Sequence, residues 1–367
     1  MAGRRSKPAA KKQGRAANQA PGLDLGVVYK AIKKSAGCAA IAGMQMTDVA
    51  RASTGLPLLD LALGGGLPLG RIVHIWGGSG EGKTCLGLWL TAQIQRQDPS
   101  AVVLYLDSER ALSCAFVRLL GVDMGRLVVV EPTTAEEAFQ AMETGIAEMR
   151  KAVGNDKLLF VVWDSVAASP SKAIQGGDYD NQQPGRHAAA MSIGLKKLRP
   201  VVYNHRATLL MLNQQRMSVG VTFGTPKHPT GGQAVIYYSD VSVCLALRER
   251  YKITTDADPY GIRVEAKVEK NRVGVPYRRA SFRIYFHSGL VTDIPEVYST
   301  LRRYGLAGST GGTIRALGGT YPSKDAFAQA LLADPALLTK ALDQLRKAME
   351  APDAPALAAG GGEVADG

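Results

Sequence analysis

Residues 77–84 read Gly77, Gly78, Ser79, Gly80, Glu81, Gly82, Lys83, Thr84 and satisfy G-x-x-x-x-G-K-[ST]. An apolar, β-rich run at 71–76 precedes them and a helical pattern at 85–95 follows, the context this motif needs. Glycines let successive backbone N–H groups turn inward around phosphate oxygens. The helix that opens at Lys83, Thr84 and Cys85 adds partial positive charge. Lys83 can reach the β and γ phosphates, and Thr84 would ligate Mg2+, so a nucleotide with Mg2+ is the expected ligand. The plainer reading is a tight turn between a strand and a helix.

Three further groups sit at the ends of apolar runs. Asp164 closes the run 158–163, where a parallel sheet presents ligands at its C-terminal edge. It suits Mg2+ through water, or a helix cap. Asp107 and Glu109 follow the run 101–106, and Glu109 could polarise a water attacking the γ phosphate, because phosphoryl transfer needs mainly positioning and charge neutralisation. A surface salt bridge would explain Glu109 equally well. Asn213 and Gln214 end the run 207–212, and Gln214 could sense the γ phosphate. The loop 215–230 after it is long and basic, and 174–185 is a second, polar one. Two such loops beside a nucleotide site suit a nucleic-acid face.

The elements that must position these groups follow from pattern. Runs at 71–76, 101–106, 127–130, 158–163 and 207–212 are apolar on both faces and separated by helix-length segments, which predicts a parallel sheet covered on both sides. Shorter separations after residue 206 predict antiparallel strands at 234–247, 261–268 and 279–286 that make the sheet mixed. Helices are expected at 323–332, opened by Ser323, and at 335–349, opened by Pro335. Residues 23–52 carry an irregular amphipathic pattern that suggests one helix.

Lys and Arg number 44 against 32 Asp and Glu, a net +12 that favours a polyanionic partner. Six of those charges lie in residues 1–20, which contain no acid; they form either a phosphate-following tail or a solvated end. Cys38, Cys85, Cys114 and Cys244 form no C-x-x-C pair, which argues against a zinc cluster or disulfide scaffold and for a reducing cytoplasm. No apolar run approaches the roughly eighteen residues of a membrane span.

Taken together, these motifs resemble the RecA family of homologous recombinases, its bacterial and phage branch in particular. The resemblance is close over 56–290. It rests on Gly70-Arg-Ile-Val, Asp107-Ser-Glu-Arg-Ala-Leu, Trp163-Asp-Ser-Val-Ala-Ala, Asn213-Gln-Gln-Arg-Met, Gly220-Val-Thr-Phe-Gly, Thr230-Gly-Gly and Lys270-Asn-Arg-Val. It implies an α/β fold: a RecA-like P-loop ATPase core with a mixed, mainly parallel sheet, an N-terminal helical segment and a small α-rich C-terminal domain. The expected divisions are a basic disordered tail at 1–22, a helical polymerisation segment at 23–54, the core at 55–290, the C-terminal domain at 291–350 and a disordered tail at 351–367.

The resemblance also implies roles. Lys83 and Thr84 bind phosphate and metal, Glu109 activates water, Asp164 holds the metal through water, Phe116 packs against adenine, and Gln214 links the γ phosphate to the second loop. Lys270 and Arg272 would contact the γ phosphate of a neighbouring subunit; by themselves they read as a solvated face. Single-stranded DNA would meet Lys196, Arg216, Met217, Val219, Gly220, Phe223, Gly231 and Gly232, with Val219 as a wedge between bases. Arg248, Arg250, Lys252 and Lys267 form either a second path for duplex DNA or a basic edge that aids solubility.

The departures from the family pattern are an Arg at 272 where a Lys is usual, Ile236 and Ser218 where Lys is common, and a C-terminal tail poor in acids. The expected function is an ATP-dependent recombinase that forms a helical filament of identical subunits on single-stranded DNA and exchanges strands with a homologous duplex. A ring helicase and a DNA-coating protein with a switch-like ATP site are the rivals.

Overall fold

The structure is a computed structural model that describes residues 30, 34, 49–154, 157–175, 185–217 and 227–351, the side chains of 216, 217 and 227 excepted. Its centre is a ten-stranded sheet. Nine strands form a continuous path: β1 (Ile72–Gly77), β2 (Val102–Asp107), β3 (Leu127–Val130), β4 (Leu159–Asp164), β5 (Ala207–Met217), β6 (Val241–Tyr251), β7 (Gly261–Asn271), β8 (Arg279–Tyr285) and β9 (Leu290–Thr292). Their order across the sheet is β9-β8-β7-β6-β1-β5-β4-β2-β3, and Lys227–Pro229 pairs off β5 as the tenth. From β6 through β3 the neighbours run parallel, and β6 to β9 run antiparallel.

Side chains alternate along a strand, and here they feed two cores, one on each face. Val73, Ile75, Val103, Tyr105, Phe160, Val162, Leu210 and Leu212 enter one core. Ile72, Leu104, Leu106, Leu159, Val161, Trp163, Leu209 and Met211 enter the other. Helix α1 (Lys83–Gln97) covers the first face, and α2 (Ala135–Val153) and α3 (Arg186–Asn204) cover the second. Both faces are therefore apolar, which is why these strands read as near-continuous hydrophobic runs. Helix α2 starts where Thr134 accepts from the Glu137 N–H at 3.2 Å.

The C-terminal part adds Ile294, Val297, Leu301, Phe327, Leu331, Leu345 and Met349 to the first core. Helix α4 (Lys324–Ala333) is capped by Ser323, which accepts from the Ala326 N–H at 3.1 Å. Helix α5 (Pro335–Glu350) is capped by Asp334, which accepts from the Ala336 and Leu337 N–H groups at 2.9 and 3.2 Å. The sequence signals at these starts are Ser323 and Pro335, the latter at the first turn beside the Asp334 cap. The three-stranded antiparallel sheet beside them, Ala307–Thr310, Thr313–Ala316 and Gly319–Tyr321, is not among the sequence expectations.

Two expectations need correcting. Segment 234–247 is not one strand: Gln233–Tyr238 is a helix, and β6 begins only at Val241. Val235 and Ile236 have β propensity, but Val235 is fully buried in the second core and the Lys270 ammonium binds the last carbonyls of the helix, so tertiary contacts override propensity. Nor does the N-terminal helical pattern run through residue 52. Lys30 and Lys34 are helical, whereas Arg51–Ala52 is a short strand antiparallel to Leu67–Pro68.

Candidate nucleotide site

Register brings the chemistry together. Gly77 on β1 lies beside Gln214 on β5, and Asp107 on β2 beside Asp164 on β4, so the C-terminal ends of four strands converge on one edge. Gly82 caps α1 in the left-handed region, with φ 79°, where glycine is favoured. A Cβ there would also lie 2.5 Å from Cδ1 of Ile284.

The Lys83 ammonium donates to the carbonyls of Gly77 at 3.1 Å and Gly78 at 2.6 Å, while the Gly78 N–H donates to the Glu81 carboxylate at 2.5 Å. The loop is thus shaped by its own lysine and glutamate. Burial pulls the Lys83 pKa below its ordinary value, against the opposing pull of Glu81, Asp164 and Glu109.

Asp164 is buried and accepts from the Tyr105 hydroxyl at 2.8 Å and from Thr84. Burial raises its pKa, Glu109 and Asp107 add to the rise, and those two hydrogen bonds oppose it. Glu109 is exposed, and its Oε1 accepts twice, from Ser165 at 2.6 Å and from the Gln214 amide at 2.9 Å.

These groups line a pocket of about 350 Å³. Ser79, Gly80, Gly82, Lys83, Thr84, Cys85, Glu109, Phe116, Asp164 and Gln214 are all in its wall. Gly77, Gly78 and Glu81 act one layer behind, through the hydrogen bonds above. The rest of the wall, which is not among the sequence expectations, is mainly apolar: Ile262, Ile284, Tyr285, Phe286 and Gly289. The antiparallel pairing of β7 with β8 sets Ile262 directly opposite Ile284, and no spacing along the chain signals that register.

Gln214 also stands at the root of the second loop. Its carbonyl accepts from the N–H and the hydroxyl of Thr230, both at 3.0 Å, and the neighbouring Asn213 amide donates to the Thr230 carbonyl at 2.7 Å. Past that point the backbone leaves as a ribbon with Arg216 opposite His228 and Met217 opposite Lys227. Gly231 and Gly232 lie between Thr230 and the helix Gln233–Tyr238. Val219, Gly220 and Phe223 fall outside the described residues, as do the side chains of Arg216 and Met217. Lys196 is exposed on α3.

Lys270 and Arg272 do not line this pocket. Lys270 donates to the carbonyls of Ile236 at 2.5 Å and Tyr237 at 2.9 Å, and the Arg272 guanidinium lies 5.6 Å from the Tyr237 ring centre. On the basic edge, Arg248 pairs with Glu265 at 2.6 Å and Lys267 with Glu269 at 3.6 Å.

Among the described residues no three His, Cys, Asp or Glu side chains converge as a metal cluster. Mg2+ at a nucleotide needs only one or two protein oxygens beside phosphate and water. The Thr84 hydroxyl, hydrogen-bonded to the Asp164 carboxylate, is a hard-oxygen pair that fits that demand. No helix among the described residues is long and apolar enough to cross a membrane.

Comparison with known proteins agrees with this geometry. A family model described as the RecA N-terminal domain matches residues 24–291. A protein named Protein RecA from Arthrospira platensis is 36% identical over 291 residues, 77% of this chain and 76% of its own length. Its namesake from Synechococcus elongatus is 35% identical over 291 residues, 77% and 78% of the two chains. The Nostoc punctiforme protein is 36% identical over 273 residues, 73% and 72%.

Proposed function

Because the chain belongs to the RecA family, and is therefore an ATP-dependent DNA recombinase and DNA-dependent ATPase, we propose that the pocket behind Gly77–Thr84 is its ATP site and that each surrounding group has a separate task. Lys83, released from its own loop carbonyls, neutralises the β and γ phosphates. Thr84 and, through water, Asp164 would hold Mg2+, which when bound supplies positive charge between the phosphates. Phe116 and the wall of Ile262, Ile284, Tyr285 and Phe286 receive the base.

Glu109 holds the attacking water and takes its proton. Gln214 leaves the Glu109 carboxylate for the γ phosphate, and because its carbonyl anchors Thr230, it carries that event into the second loop. That loop, with Arg216, Met217, Val219, Gly220, Phe223, Gly231 and Gly232, and Lys196 of α3 face single-stranded DNA. They contact mainly phosphate, which positions the strand without reading its sequence. Arg248, Arg250, Lys252 and Lys267 serve the incoming homologous duplex. Lys270 and Arg272 serve the pocket of an adjacent copy, so that hydrolysis belongs to a helical filament of identical subunits. The working compartment is the bacterial cytoplasm.

The observation that carries this reading is the shared oxygen of Glu109, which links the residue placed to activate water to the residue at the root of the second loop. Lys83→Ala tests the pocket: nucleotide-stimulated retention of single-stranded DNA on filters should vanish. Undiminished retention would refute the assignment.

A further inference from the structure

Lys270 at the end of β7 and Arg272 one residue past it both reach Tyr237, the first through its carbonyl and the second over its ring. What fixes that strand end lies on its other face. Asn271 is buried there, its amide donating to the Leu63 carbonyl at 3.1 Å and its Oδ1 accepting from the Val273 N–H at 3.1 Å. The Val273 carbonyl, one residue past Arg272, accepts from Nη2 of Arg51 at 2.5 Å. Nη1 of Arg51 donates to the carbonyls of Leu63 and Gly66, both at 3.1 Å.

The seat of this guanidinium is shaped by glycine. A Cβ at Gly65 would stand 3.3 Å from Cδ of Arg51, and one at Gly66 would run into the Ala52 carbonyl oxygen. All three acceptors are carbonyls. A planar fork can span them, whereas a lysine ammonium is a single point of charge. Capping the C-terminal carbonyls of the helix Pro57–Leu63 would explain the bond to Leu63. It does not explain the bond to Val273, 222 residues away in sequence.

On the reading of Lys270 and Arg272 as charges offered to a neighbouring copy, on which this inference rests, we propose that Arg51 is a positioning residue for that pair. By locking the turn at Val273 from behind, it sets where the two cations stand when a second subunit presents its triphosphate.

The test uses the full chain with Arg51→Met. The kcat of single-stranded-DNA-stimulated ATP hydrolysis should fall roughly tenfold while KM for ATP stays within about twofold, since a small misplacement of a charge costs rate rather than binding. Arg51→Lys should fall between the two. Equal mixing with Glu109→Gln, whose own pocket is inert but whose Lys270 and Arg272 are well placed, should give a rate several times the sum of the separate rates. Arg272→Ala mixed with Glu109→Gln is the control for the premise. If that control shows no rescue, the reading of Lys270 and Arg272 is wrong. If it shows rescue while Arg51→Met keeps its kcat or is not rescued, the role of Arg51 is wrong. Should Arg51→Met fail to melt cooperatively, Arg51→Lys takes its place in the mixture, where rescue supports the role of Arg51 and its absence overturns it.

Discussion

On the proposed reading, Glu109 is the residue on which turnover turns. General-base catalysis contributes about 10² to 10⁴ in rate, so Glu109→Gln should lower ATP turnover by at least about a hundredfold. The amide still accepts from Ser165, so nucleotide-dependent DNA binding should survive. Parallel ATPase and gel-shift titrations check this, and loss of both together would mean that Glu109 holds the pocket together rather than acting on water. Lys83, Thr84 and Asp164 are legible without coordinates because the first two sit in one contiguous motif and the third ends an apolar strand. Ile262 and Ile284 are not: their place in the pocket comes from cross-strand register, which spacing along the chain does not reveal.

At the level of elements, the joint between the core and the C-terminal part is set by Asp293. Its Oδ2 accepts from the Leu58 and Leu59 N–H groups at 2.6 and 3.3 Å, at the start of the helix Pro57–Leu63. Its Oδ1 is buried without a hydrogen-bond partner among the described residues. Burial pushes this carboxyl from its ordinary 3.8 up to about 8, with Asp60 adding to the rise and the two N–H groups opposing it. Between those values the folded chain keeps a proton that the unfolded chain has released. Stability should therefore decline as pH rises through that window, by up to about 1.4 kcal/mol per pH unit from this group. Asp293→Asn keeps an acceptor for both N–H groups and should flatten the decline. Urea midpoints at pH 5 and pH 8 measure it, and identical slopes for the two proteins would contradict the assignment. Elements with strong start signals, such as those at Ser323 and Pro335, are readable from sequence. The helix Gln233–Tyr238 is not, because its β-favouring residues are held helical by a distant lysine.

For the whole molecule, Lys270 and Arg272 stand away from their own pocket, and on the proposed reading, in which they serve the pocket of a neighbouring copy, catalysis is tied to association. ATP hydrolysis per subunit should climb with protein concentration as well as with single-stranded DNA, and then level off when subunits are saturated by neighbours. A rate set by neither would remove the case for charges supplied from outside. Burial reduces the proton affinity of the Lys270 ammonium, whose pKa is lowered to about 8, with Arg272 reinforcing the effect. Above that pH an unassembled subunit has a neutral amine to offer, so the protein concentration giving half-maximal hydrolysis should increase between pH 7 and 9. Lys270→Arg, which stays charged throughout, should show a smaller increase.

The sheet's far flank has its own consequence. Among the described residues strand β3 is paired on one side only, with Val128 and Val129 both more than two-fifths exposed, and a bare β flank invites another strand. The opposite flank, at β9, is followed directly by the C-terminal part, so the two rims are unlike. Unlike rims cannot stack as mirror partners. Any chain of copies built through them carries a direction, with one tip that recruits and another that is recruited.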